Sequence, residues 1–158
     1  MNTGIQIRAA NPKDAATIAL HRYPGEKGEH LAVYAAWLPG VMSRGSYVGW
    51  LAKEGHRVIG GAGLLLLDWQ PSRTEASPIR GRVVNVFVEP EFRRQGVARR
   101  LLLGVLDEAR RLGVPGVGLS TSAEGRPLYA SLGFGASVDE MYLEMKRQPG
   151  IGSGPSGN

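Results

Sequence analysis

Arg93, Arg94, Gly96 and Ala98 crowd a turn between an apolar run ending at Val88 and an amphipathic run that carries two more arginines, Arg99 and Arg100. Positive charge and small residues at a strand-to-helix turn suit an anion. The first amides of a helix have no partner within it, and they carry the positive end of the macrodipole. A phosphate or pyrophosphate can accept several of them at once. Glycine at position 96 lets the backbone come close to such a group, and Ala98 is small for the same reason. Arg93, Arg94 and Arg99 can add charge-assisted contacts. The same residues also describe a solvated helix start with surface arginines and a glycine cap, and spacing alone does not choose between the two.

The turn needs a strand before it and a helix after it, and the sequence supplies both. Arg82–Val88 reads as a buried strand, and Gly96–Leu112 as a strongly amphipathic helix ended by Gly113 and Pro115. Upstream, Ile5–Ala10 alternates like a half-buried strand, and Asn11 with Pro12 starts a helix running to His21. Glu29–Leu38 has helical spacing, with Leu31, Tyr34, Ala35 and Leu38 on one face, and Pro39-Gly40 is expected to stop it. Tyr47–Lys53 and Arg57–Trp69 form two strands around a turn at Glu54-Gly55, and a polar loop follows to Gly81. Val114–Thr121 predicts another strand, Pro127–Leu132 a short helix stopped by Gly133, and Glu140–Lys146 a last strand. The order is about β-α-α-β-β-β-α-β-α-β, with a crossover through the long helix that implies a mixed sheet.

The chain has 158 residues, enough for one domain with one core. We assign residues 1–147 to that domain and 148–158, rich in Gly, Ser and Pro, to a disordered tail. Without cysteine there is no disulfide, thiolate metal site or cysteine nucleophile, which fits a reducing cytoplasm. The start shows no secretory pattern, and the longest apolar run, Ala62–Leu67, is too short to cross a bilayer. The net charge of +5 favours anionic partners. Nucleic acid is a poor fit, because the basic residues lie at one helix start and one helix end without interleaved aromatic residues. His21, His30 and His56 have no metal-binding spacing, so no metal is expected.

The run Arg93-Arg94-Gln95-Gly96-Val97-Ala98 resembles the acetyl-CoA pyrophosphate signature of the GNAT N-acyltransferases, (Arg/Gln)-x-x-Gly-x-(Gly/Ala). Leu128–Phe134, "LYASLGF", is similar to a second segment of that family, Leu-Tyr-x-x-x-Gly-Phe. The resemblance implies an α+β fold with a mixed, largely antiparallel sheet, a splayed strand pair and flanking helices. It implies acetyl-CoA as co-substrate, with the backbone of Val86, Phe87 and Val88 paired to the pantetheine arm and the amides from Arg94 to Arg99 on the pyrophosphate. It further implies direct acetyl transfer to a primary amine, and a homodimer by analogy. Tyr129 would be the general acid that protonates the leaving thiolate, a role a phenol can fill. As a helix residue, Tyr129 could equally be core with its hydroxyl at the surface.

The general base is the gap in this resemblance. Asn85, the polar residue inside the strand, cannot be a base, but it could position water or the acceptor, or be a satisfied polar group at the splay. Glu89 is the nearest carboxylate and a candidate base, although it and Glu91 could simply favour the helix dipole. Ser122 stands where relatives often carry asparagine, and could contact pantetheine or cap a helix. Thr121 and Glu124 have capping-box spacing. Arg126 could reach phosphate or be a surface residue. Tyr23, Tyr34 and Trp37, with His30, Glu26 and Glu29, could shape the acceptor pocket or be core and surface. The competing function is a non-catalytic acyl-CoA-binding regulatory domain. The acceptor itself is not readable.

Overall fold

A computed structural model describes residues 4–137 and 139–145. They fall into two compact units divided between Thr121 and Ser122. The first holds β1 (Ile5–Ala9), α1 (Ala15–Arg22), α2 (Glu29–Ser43), β2 (Tyr47–Glu54), β3 (Arg57–Asp68), β4 (Ile79–Val88), α3 (Val97–Arg111) and β5 (Val117–Gly118). The second contains α4 (Arg126–Ser131).

The sheet order is β1-β2-β3-β4-β5, antiparallel except for the β4–β5 pair, which α3 joins in parallel. This is the mixed, largely antiparallel α+β arrangement expected. Alternation along β2 separates the two faces. Leu51 points into a core with Ala15, Ile18, Leu38 and Val41 of α1 and α2, whereas Trp50 lies against Gly104 of α3. On α3, Val97, Leu101, Leu102, Val105 and Ala109 form one buried stripe. Each of its large side chains contributes about 1.5–3 kcal/mol by leaving water. α1 is introduced by a 3-10 turn, Pro12–Asp14, in which Asn11 and Asp14 form a capping box and Asp14 also takes Arg8 at 2.8 Å.

Four expectations need correction. The strand expected from Arg82 begins at Ile79, because Ile79, Arg80 and Gly81 pair with Asp68, Leu67 and Leu66 of β3. α2 does not stop at Pro39 but runs on to Ser43. Leu38 and Val41, both buried, hold the helix on either side of the proline, and their packing outweighs one lost backbone hydrogen bond. β5 is two residues long rather than spanning 114–121. The expected last strand does not form among the described residues 140–145, where Met141, Tyr142, Leu143 and Met145 are largely exposed. Lys146 and the expected tail from 148 lie outside the described residues.

One irregularity shapes the sheet. Gly61 pairs with Phe87 and Gly63 with Val84, so Asn85 and Val86 together oppose Ala62. Asn85 is the extra residue of this bulge and takes a left-handed backbone, φ 58°. Asparagine is among the few side chains that tolerate that region. The facing segment Gly60-Gly61-Ala62-Gly63 makes room: a Cβ on Gly60 would sit 2.6 Å from the Phe87 carbonyl, and one on Gly63 would sit 2.1 Å from the Tyr47 hydroxyl. Bulges also increase local twist. β4 pairs with β5 only at Gly81–Val117 and Arg82–Gly118, so its second half, from Val83 to Val88, has no strand on that edge among the described residues.

His21 of α1 is buried, stacked on Phe87 with ring centroids 5.1 Å apart. Burial lowers its pKa from 6.5 to about 4. The folded state therefore holds a neutral imidazole, and protonation favours the unfolded chain. Stability should be full above about pH 6.5 and fall as the pH drops toward about 4. The loss is on the order of 3 kcal/mol at most. Urea unfolding across that range will show a flatter slope for His21→Phe; an equal slope would mean His21 does not drive it. The glycines give a second test. Gly63→Ala should destabilise by about 1–3 kcal/mol through overpacking on Tyr47. Gly104→Ala in α3 meets nothing closer than Trp50 at 3.6 Å and should stabilise by about 0.5–1 kcal/mol.

Candidate acyl-donor site and the tyrosine clamp beside it

The second half of β4 ends at Val88, and a 3-10 turn, Pro90–Phe92, leads to α3. Arg94 and Gly96 both have left-handed backbones, φ 60° and 79°, within this turn. Alternation of left-handed with ordinary residues curls successive amides inward and makes an anion-binding concavity. The N-cap of α3 is Gly96, which has no side chain of its own to cap the helix. Nothing lies within 4 Å of where a Cβ on Gly96 would stand, so the turn is open on that side. Among the described residues, the result is a strand edge without a strand partner running into the N-terminus of α3.

The arginines divide their work. Arg93 turns back to the strand: its Nε donates to the Val88 carbonyl at 2.8 Å, and its guanidinium carbon lies 5.9 Å from the Phe87 ring centroid. Phe87 thus sits between Arg93 and His21. Arg100 bonds the Ile5 carbonyl through both terminal nitrogens at 3.1 Å, tying α3 to β1. Arg110 pairs with Asp107 at 2.9 Å, and Arg111 with Glu108. These two are surface ion pairs worth little. Arg94 is exposed and Arg99 is exposed on the first turn of α3. Gln95 Nε2 donates to the Glu91 carbonyl at 3.1 Å and buttresses the turn. Glu91 itself pairs with Arg57 at 2.6 Å. Glu89 follows Val88 directly, its amide bonded to the Ile59 carbonyl at 2.8 Å.

On the α1–α2 face of the sheet, Asn85 makes the feature that sequence reading only touched. Its Nδ2 donates to the hydroxyls of Tyr34 at 2.7 Å and Tyr47 at 3.1 Å. Its Oδ1 is buried without a hydrogen-bond partner among the described residues. The space between His21, Tyr47 and Gly61 is too tight for a water molecule. Burial raises both tyrosine pKa values, and the Asn85 hydrogen bond lowers them by less, so both are phenols at neutral pH. Tyr34 continues outward into an aromatic rim with Trp37 at 5.3 Å and Tyr23 at 6.3 Å between ring centroids. The Arg22 guanidinium lies 5.2 Å from the Tyr34 ring centre. His30 packs edge-on against Tyr23 and reaches Glu26 at 3.4 Å. Tyr47 was not singled out by its sequence context, and neither was the glycine run Gly60–Gly63. That run, inside a strand, was the available signal of a bulge or close approach.

In the second unit, Tyr129 is half-buried in α4, edge-on to Phe134 at 5.8 Å. Burial raises its phenol pKa, so it is a proton donor at neutral pH. Ser122 Oγ accepts from the Gly125 amide at 3.4 Å in the turn before α4. The helix starts at Arg126, so the Thr121–Glu124 spacing does not mark its first turn.

Comparison with known proteins bears on the family and the fold. The acetyltransferase (GNAT) family matches residues 13–134. A glucosamine 6-phosphate N-acetyltransferase from Trypanosoma brucei brucei is 30% identical over 89 residues, 56% of this chain and 58% of that protein, so the chain spans less than two thirds of this relative. A GCN5-related N-acetyltransferase from Ralstonia eutropha JMP134 is 27% identical, with TM-score 0.79 over 90% of this chain and 99% of the other. A predicted acetyltransferase from Clostridium acetobutylicum, determined with acetyl-CoA, shares the fold at TM-score 0.82 and 22% identity over 89% of this chain and 96% of the other. Among the described residues no helix is long and apolar enough to cross a membrane. With most of its length matched and the strand edge, turn and helix in the expected places, the chain belongs to the acetyltransferase (GNAT) family.

Proposed function

We propose that this protein transfers the acetyl group of acetyl-CoA to a primary amine by direct attack, without a covalent enzyme intermediate. The observation that carries this reading is the edge of β4 from Val83 to Val88, which has no strand partner beyond β3 among the described residues, leading into the left-handed turn at Gly96. Pantetheine lies along Val86, Phe87 and Val88, as an added strand would. The pyrophosphate sits on the amides from Arg94 to Arg99, with Val97 and Ala98 in the first turn of α3. Arg93 contributes by fixing the strand end. Arg94 and Arg99 add charge at the turn.

The attacking amine must be neutral. Glu89 is the candidate base that keeps it so, and Tyr129 the general acid that protonates the CoA thiolate as it leaves. Ser122 supports the turn that carries α4. The acceptor panel runs over small amines, amino acids, aminoglycosides and protein amines, and amino sugars belong first because a relative is a glucosamine 6-phosphate N-acetyltransferase. The absence of cysteine suits a reducing compartment such as the cytoplasm.

Thiol release from acetyl-CoA with a panel of amines tests the reading. Turnover with at least one amine is expected, with kcat reduced about 10-fold or more in Tyr129→Phe and Glu89→Gln. CoA-dependent thermal stabilisation without turnover would instead mark a non-catalytic acyl-CoA binder. Gly96→Glu tests the cofactor site separately. The open space at Gly96 accepts the side chain, at about 1–2 kcal/mol for its left-handed backbone. The new carboxylate stands at the anion, so the variant should fold and lose CoA binding. Unchanged CoA affinity would sink this assignment.

A further inference from the structure

We propose that the Tyr34 hydroxyl, oriented by Asn85, is a hydrogen-bond donor to the thioester carbonyl during acetyl transfer, and that Asn85 is its positioning residue. The proposal rests on the acetyl-transfer reading above and adds a specific group to it.

The placement follows from the strand. With the pyrophosphate at the Gly96 turn, the arm of CoA runs back along β4 from Val88 toward Val86. Asn85 lies three residues before Val88, about 10 Å along a strand. The acyl end of the cofactor therefore arrives at the bulge. There the Asn85 side chain leaves the sheet on the α1–α2 face and meets Tyr34 and Tyr47.

The direction of the hydrogen bonds decides what Tyr34 can do. Its oxygen already accepts from Asn85 Nδ2, so its own proton is left to donate. It is held as a neutral phenol by burial and therefore cannot act as a base at neutral pH. A donor is of no help to the attacking amine, which must keep its lone pair for the carbonyl carbon. It helps the carbonyl oxygen, where negative charge grows as the new C–N bond forms and before the C–S bond breaks. Tyr47 makes the same bond to Asn85 but is buried, whereas Tyr34 is partly exposed, so Tyr34 is the proposed donor. The left-handed backbone at Asn85 and the glycines facing it set the amide where it can hold both phenols.

The test is steady-state kinetics of the full chain with acetyl-CoA and its best amine. Tyr34→Phe should lower kcat about 100-fold, with KM for acetyl-CoA within about twofold of the parent, because the bond strengthens only as charge develops. Asn85→Gly fits the left-handed backbone and removes the clamp. Its loss should be similar, and the double variant should be no worse than Tyr34→Phe alone, since both act through one group. Asn85→Asp separates positioning from packing. A carboxylate keeps both tyrosines bonded but turns the Tyr34 proton inward, so kcat should fall although the hydroxyls remain partnered. CoA-dependent thermal stabilisation of each variant establishes that it is folded. A Tyr34→Phe kcat within threefold of the parent, losses that multiply in the double variant, or full activity in Asn85→Asp would each overturn the proposal. Those results leave acetyl transfer itself standing; a parent that turns over no amine overturns both.

Discussion

The extra residue in β4 governs the rest. A strand with one more residue than its partner must fold the surplus out of the ladder, and it does so here at Asn85. Three glycines in β3 accept the approach that results. Without them a Cβ would meet the Phe87 carbonyl or the Tyr47 ring, and the two strands could not stay paired on both sides of the bulge. The bulge places Asn85 where its side chain bonds Tyr34 and Tyr47 on the α1–α2 face, and on the other edge β4 has no strand partner past Arg82 among the described residues.

Charge around the turn is arranged differently from what the arginine count suggests. Arg93 and Arg100 use their donors on backbone carbonyls, and Arg110 and Arg111 on acids of their own helix. The proposed anion site then rests mainly on backbone amides, with Arg94 and Arg99 at its edge. Amides fixed by two left-handed residues need no reorganisation when an anion arrives. Flexible surface arginines lose side-chain entropy when they do the same work.

Much of this was legible in sequence. The six residues from Arg93 to Ala98 carry their meaning locally, because glycine and small residues answer to backbone geometry within one turn. The long helix and the antiparallel strands follow from strong periodicity. The failures have physical causes. Pro39 reads as a stop, yet the packing of Leu38 and Val41 carries α2 past it. Val114–Thr121 has β propensity, but a strand needs a neighbour, and β4 offers one only at Gly81 and Arg82. The alternation of Met141, Leu143 and Met145 predicts a strand for the same reason, and propensity does not create the partner.

The clamp could not be read locally at all. Tyr34 and Tyr47 lie 51 and 38 residues from Asn85 in sequence, on a helix and a strand that only the folded sheet brings together. The difference lies in what each feature is made of. The turn from Arg93 to Ala98 depends on backbone shape, which leaves a short motif. The clamp is made of side chains from elements far apart, so it becomes visible only after the fold is known. A polar residue such as Asn85 then cannot be judged by its type. In the sequence it is a non-ionisable residue where a base was sought; in the structure it decides which way a phenol must point its proton.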